Sequence, residues 1–155
     1  YENVNSEIAL ENFKKFAPDL IISIRFGQIF KQALIDIPRC GVINLHSGIL
    51  PNYRGVLASF WTILNGEKEI GATLHYISDA RIDEGDVIGF SKIKIDWDSS
   101  LVFNINRVCK NSVGLISNAL KKISNGEKLE AIKQSKLGKG HYFSYPKSER
   151  GLERC

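Results

Sequence analysis

An amide, an imidazole and a carboxylate in this chain carry the functional groups that acyl transfer needs. Asn44 and His46 stand two apart in Asn44-Leu45-His46, and Asp83 follows in the acidic run Ile82-Asp83-Glu84-Gly85-Asp86. An amide N–H can donate to an oxygen that gains negative charge. An imidazole carries protons, and a carboxylate orients and charges it. Residues two apart on a strand share a face, so Asn44 and His46 project together if the strand reaches them. The pair also fits blander roles, Asn44 capping a loop and His46 resting as a hydrogen-bonded buried histidine. His75, within an alternating run, reads as structural, and His141, in the polar Gly140-His141-Tyr142-Phe143, as a surface or packing residue. The acids Asp79, Asp83, Glu84 and Asp86 lack calcium-loop spacing and no Cys/His set joins them, so no metal is expected.

The elements that must position these groups alternate between helix and strand. Residues 6–16 read as an amphipathic helix capped by Asn5 or Ser6, with Ala9, Leu10, Phe13 and Phe16 as its apolar stripe. Leu20-Ile21-Ile22-Ser23-Ile24 is an apolar run of the kind buried on both faces of a parallel sheet. A weaker helix over 31–35 precedes the strand 41–45, and the Gly-, Pro- and Tyr-bearing loop 47–55 leaves that strand's carboxyl end, the edge where open α/β sheets bind ligands. A helix over 58–64, strands at 73–77 and 87–95 around the loop 78–86, and a long helix over 101–123 follow. The alternation predicts a doubly wound α/β layer.

The longer string Asn44-Leu45-His46-Ser47-Gly48-Ile49-Leu50-Pro51-Asn52-Tyr53-Arg54-Gly55 resembles the signature loop of the tetrahydrofolate-dependent formyltransferases. These include glycinamide ribonucleotide transformylase, methionyl-tRNA formyltransferase and sugar-nucleotide formyltransferases. The likeness continues in Leu64-Asn65-Gly66-Glu67, in Gly71-Ala72-Thr73-Leu74-His75 and in Ile82-Asp83-Glu84-Gly85-Asp86-Val87-Ile88, and Phe26-Gly27-Gln28-Ile29-Phe30 is similar to the folate-pocket segment. The resemblance covers roughly 18–95 well and the remainder weakly. It implies a Rossmann-like, doubly wound, mostly parallel sheet lacking its first βαβ half. It places Asn44, His46 and Asp83 on the catalytic triad. Phe26, Gln28, Ile29, Phe30, Asp79, Ala80 and Ile82 fall in the pocket for 10-formyltetrahydrofolate, the formyl donor. Ser47, Gly48, Tyr53 and Arg54 are expected near the amine substrate, Arg54 pairing with a phosphate or carboxylate or else forming a surface salt bridge. Asp83 is expected to raise the His46 pKa, so that a protonated His46 helps hold the oxyanion. Ser47-Gly48 departs from the Pro or Gly followed by Ser usual there, and Arg25 departs from the small or aromatic residues usual at its place; it could meet an anionic group or lie at the rim.

The 155 residues suit one compact unit: 1–125 as a catalytic core incomplete at its start, and 126–155 as a polar, Lys- and Gly-rich carboxy-terminal appendage. The composition, 43% hydrophobic and 25% charged, has no apolar run long enough to span a bilayer. Cys40, Cys109 and Cys155 lack paired spacing, and Tyr1-Glu2-Asn3-Val4-Asn5 has no leader character, which fits a reduced, cytoplasmic protein. A start at Tyr1 without any methionine suggests a processed or partial product. The net charge of +4 tolerates an anionic partner without demanding one. The expected activity is formyl transfer to a primary amine, phosphorylated or not, with an amino-sugar nucleotide or other small amine preferred over tRNA. A methionyl-tRNA formyltransferase fragment, a formyltetrahydrofolate hydrolase and a non-catalytic folate- or nucleotide-binding module are the alternatives.

Overall fold

A computed structural model describes residues 3–146. Helix α1, Glu7–Phe16, begins where the Ser6 side chain accepts the Ala9 N–H and ends at Ala17 in the left-handed conformation. Strand β1 (Ile21–Ile24), helix α2 (Gln32–Ile35) and strand β2 (Val42–His46) follow. The short strand β3 (Arg54–Gly55) and helix α3 (Ala58–Leu64) precede the two long strands β4 (Glu69–Tyr76) and β5 (Val87–Lys94). Helix α4 (Leu101–Ser124) starts at Ser100, whose side chain accepts the Phe103 N–H. A 3-10 turn, Gln134–Leu137, and strand β6 (Tyr142–Phe143) close the described chain.

The main sheet runs β1-β2-β4-β5. The β1–β2 pair is parallel, and β4 is antiparallel to both of its neighbours. Three of the four strands therefore point one way, and β4 alone is reversed. The physical reason is the connection: residues 77–86 are too few for the crossover that a parallel β4–β5 pair would need. Strand β4 begins at Glu69, ahead of the 73 read from sequence, because Gly71 and Ala72 give no side-chain signal yet pair with Lys92 and Ser91.

Alternation along the strands distributes the core to both sheet faces. Ile21 and Val42 pack with Val4, Phe30, Leu34 and Ile35 under α1 and α2. Ile22 and Ile43 turn the other way, towards Leu74, Leu115, Ile116 and Ala119 of β4 and α4. Ile70, Ala72, Ile95 and Val108 extend that second layer. Asn44 and His46 share the parity of Val42, so they lie on the α1–α2 face, beyond the reach of the four-residue α2.

As far as it is described, the chain after α4 folds back on the preceding elements. Ile132 bridges Val87 antiparallel, and β6 pairs in parallel with β3. Residues 147–155, including Cys155 and the end of the expected appendage, lie outside the described residues. Among the described residues no helix is long and apolar enough to cross a membrane, and Cys40 and Cys109 are free thiols.

Candidate active site

Strand register assembles the site. The β2–β4 ladder sets Asn44 opposite His75 and His46 opposite Thr73, all on one face. From the loop beyond β4, Asp83 reaches into this group with φ 54, a left-handed backbone that a non-glycine residue seldom adopts. Its Oδ2 lies 3.4 Å from His46 Nδ1, and its Oδ1 lies 3.5 Å from His75 Nε2. Asn44 Nδ2 stands 3.1 Å from His75 Nε2 and 3.4 Å from Asp83 Oδ1. The Gly55 backbone N–H donates to Asp83 Oδ2 over 2.8 Å. Asn44, His46 and Asp83 thus lie together, with His75 as a fourth member of the group.

His75, which the sequence pattern assigns to the scaffold, thus stands among the site's side chains. Its Nδ1 sits 2.8 Å from the Tyr76 carbonyl, so that nitrogen carries a proton. When neutral, its Nε2 accepts from Asn44; when doubly protonated, it donates to Asp83. The signal that could have found it is the alternation Gly71-Ala72-Thr73-Leu74-His75 read in register against Asn44-Leu45-His46.

The His46 ring is 8% exposed, and its Nε2 lies 2.6 Å from the Tyr53 carbonyl. A carbonyl only accepts, so the proton sits on Nε2 and Nδ1 faces Asp83 as the basic nitrogen. Burial holds the His46 pKa below its ordinary value, although the Asp83 charge and the Tyr53 carbonyl pull it up. The raised pKa expected from sequence is therefore corrected. A close ion pair gains about 4 kcal/mol at an effective dielectric of about 20, but removing an ion from water costs several kcal/mol. Burial wins here. For Asp83 burial works against the charge, but the hydrogen bond with His75, the charge of His46 and the Gly55 N–H outweigh it and hold the carboxyl below the usual range.

These shifts set the acid response of the fold. Below pH 6.5 the unfolded chain protonates this histidine while folded His46 resists. Below 3.8 the unfolded chain protonates the carboxyl while folded Asp83 stays charged. Both differences remove stability as pH falls. The Tm is expected to drop from pH 6.5 downward, with this first step absent in His46→Gln. A His46→Gln melt that tracks wild type throughout that range would remove the assignment.

The group opens on a cleft of about 430 Å³. Phe26, Gln28, Ile29, Phe30, Asp79, Ala80 and Ile82 all line it, so the residues expected to hold the donor share one cavity with Asn44, His46, Asp83 and Ser47. Phe26 and Phe30 pack at a tilt, ring centroids 5.3 Å apart. Asp79 is held below the usual carboxylate range by its hydrogen bonds from Arg81. Arg25 also lines the cleft, with φ 51, and makes no ion pair among the described residues.

Gly48, Tyr53 and Arg54, expected near the amine, are not among the residues that line the cleft. Gly48 instead lets the loop press on the histidine: a Cβ there would lie 2.7 Å from His46 Nε2 and 2.6 Å from the Ala58 Cβ. The Tyr53 ring turns inward, stacks on Phe143, and donates its hydroxyl to Glu67 over 2.7 Å. Burial pushes that phenol up to about 12. Arg54 pairs with Glu84, the salt-bridge alternative, and its Nε is buried without a partner. Among the described residues no set of three His, Cys, Asp or Glu side chains is placed to hold a metal ion.

A family model for formyl transferases matches residues 2–120. The chain belongs to the formyl transferase family. A methionyl-tRNA formyltransferase of Halalkalibacterium halodurans is 34% identical over 133 residues, which are 86% of this chain and 41% of that protein. The formyltransferase-family chain thus spans about two fifths of this curated relative. A sugar N-formyltransferase of a Shewanella species superposes with a TM-score of 0.72 at 25% identity, covering 91% of this chain and 54% of the other. A formyltransferase of Anoxybacillus kamchatkensis, solved with UDP-4,6-dideoxy-4-formamido-L-AltNAc and tetrahydrofolate, superposes with a TM-score of 0.68 at 27% identity, covering 81% and 65%. The mixed sheet is the fold of these relatives.

Proposed function

We propose that the chain carries the catalytic centre of a formyltransferase that moves a formyl group from 10-formyltetrahydrofolate to a primary amine. The observation that carries this reading is the meeting of Asp83 with Asn44, His46 and His75 inside a cleft with apolar walls. The cleft suits the donor: Phe26, Ile29, Phe30 and Ile82 offer surfaces to a flat heteroaromatic group, and loop 79–82 offers backbone polar groups to its edges. Tetrahydrofolate bound to the Anoxybacillus relative supports the same reading. 10-Formyltetrahydrofolate brings a formyl carbon activated on nitrogen.

The chain's residues handle the charge and the proton. As the amine attacks the formyl carbon, the carbonyl electrons move onto oxygen. The Asn44 amide can release its 3.4 Å contact with Asp83 and donate to that oxygen. One such donor is typically worth about 100- to 1000-fold in rate. His46 Nδ1, neutral and facing Asp83, takes the proton that the amine loses, and the carboxylate stabilises the imidazolium formed. The proton then leaves with the departing nitrogen as the carbonyl re-forms, so proton and electron pairs balance.

The acceptor we favour is an amine on a phosphorylated molecule, because Arg25 is a cleft cation without an ion-pair partner among the described residues. Two such molecules have separate support. The solved relatives favour an amino-sugar nucleotide, the preference read from sequence, whereas the higher-identity relative favours methionyl-tRNA. Incubating the protein with 10-formyltetrahydrofolate and a UDP-linked 4-amino sugar, methionyl-tRNA, or no amine separates the cases. Formylated product in one amine arm is the expected result. Formate release at the same rate without amine would make the chain a hydrolase, and folate binding without turnover would make it a binding module.

A further inference from the structure

The carboxyl-terminal segment holds Asp83 from two directions. Buried Gln134 donates its side-chain amide to the Asp83 carbonyl over 2.9 Å and to the Gly85 carbonyl over 3.0 Å. Those two bonds brace the loop where Asp83 has its left-handed backbone, which persists only when neighbours impose it. Gln134 is itself anchored two residues earlier, where Ile132 and Val87 exchange backbone hydrogen bonds of 2.8 Å.

The second hold acts on the carboxylate. Further along the segment, the His141 carbonyl accepts the Arg54 N–H and the Phe143 carbonyl accepts the Val56 N–H, each over 3.0 Å. These bonds bracket Gly55, whose N–H meets Asp83 Oδ2. The Trp61 indole N–H reaches the Ser144 carbonyl over 3.1 Å, and the His141 N–H reaches the Pro51 carbonyl over 3.1 Å, tying the segment to α3 and to the loop after β2. A covering that only shields the core would have no need to converge on one carboxylate.

We infer that residues 132–144 form a clamp that sets Asp83 against Asn44, His46 and His75, with Gln134 as its positioning residue. The inference deepens the formyl-transfer reading and rests on it for the meaning of Asp83. Displacing a reacting group by about 1 Å can cost about 100-fold in rate. Replacing Gln134 with methionine keeps the length and removes both donors.

Gln134→Met is expected to lower kcat about 100-fold with little change in the KM for 10-formyltetrahydrofolate, in a protein that still unfolds cooperatively at a moderately lower Tm because two carbonyls lose their donor. In the unliganded protein, the His46 ring, followed by NMR, is expected to titrate at lower pH, because the carboxylate that favours its protonation has moved. In an Asp83→Asn background the same change should move the His46 titration no further. Gln134→Asn, a shorter amide able to reach one carbonyl, should fall between. An unaltered kcat with an unaltered His46 titration overturns the clamp. Loss of fold in both Gln134 variants also overturns it, assigning the residue to the scaffold. The titration needs no turnover, so an inactive wild type would count against the proposed function while the ring still decides the clamp.

Discussion

Asp83→Asn is expected to lower kcat by about 100- to 10,000-fold while leaving the fold and the affinity for tetrahydrofolate in place. The replacement is nearly isosteric, and its remaining oxygen can still accept the Gly55 N–H. What disappears is the negative charge beside His46 Nδ1 and His75 Nε2. Without it, the imidazolium formed when the amine gives up its proton stands buried and uncompensated, and removing one partner of such a pair is strongly unfavourable. The loss should therefore fall on kcat rather than on donor binding. Steady-state rates with the acceptor that turns over, beside tetrahydrofolate titrations, check this. His46→Ala should lose a similar amount, and the double variant little more, because groups that act as a unit are not additive. A single Asp83→Asn rate within tenfold of wild type would leave His46 to work alone.

Local pattern made the helices and the strand ends legible. Residues 58–64 are a helix in both readings, and Ser6 caps α1 where the sequence allowed it. The Asn44/His46 pair was legible because strand parity is a local rule. The partners were harder, because register and chain reversal make them. His75 lies 31 residues from Asn44 along the chain, and Gln134 lies 51 from Asp83. No spacing rule joins such positions; only the β2–β4 ladder and the return of the tail do. Tyr53 and Arg54 left a choice between ligand and internal partner open for a related reason. Their types suit a ligand, but Glu67, Phe143 and Glu84 supply partners inside the protein. The direction of the His46 shift also needed three dimensions, since charge neighbours can be guessed from sequence but depth of burial cannot.

Depth of contact also decides what one methyl group does at Gly85. A Cβ there would stand 1.7 Å from the Tyr76 carbonyl oxygen and 2.7 Å from its carbon, both backbone atoms that cannot swing aside. Gly85→Ala is therefore expected to destabilise the fold by about 3 kcal/mol or more, the upper end of what overpacking costs. The damage should reach the chemistry as well. That same carbonyl receives the His75 Nδ1 proton, and the Tyr76 N–H bonds to the Asp86 carbonyl, so shifting Tyr76 loosens His75 and the Asp83 loop together. Activity measured well below the lowered Tm should still be reduced about 100-fold. Gly114→Ala supplies the contrast, because a Cβ there meets nothing within 4 Å and Gly114 lies inside α4. In a helix interior alanine is favoured over glycine by about 1 kcal/mol, so this variant should melt at or above wild type with full activity. The same substitution should thus have opposite signs at two glycines. Equal melts for the two variants would mean that the Asp83 loop can yield, and a loop that yields could not hold a carboxylate in place for catalysis.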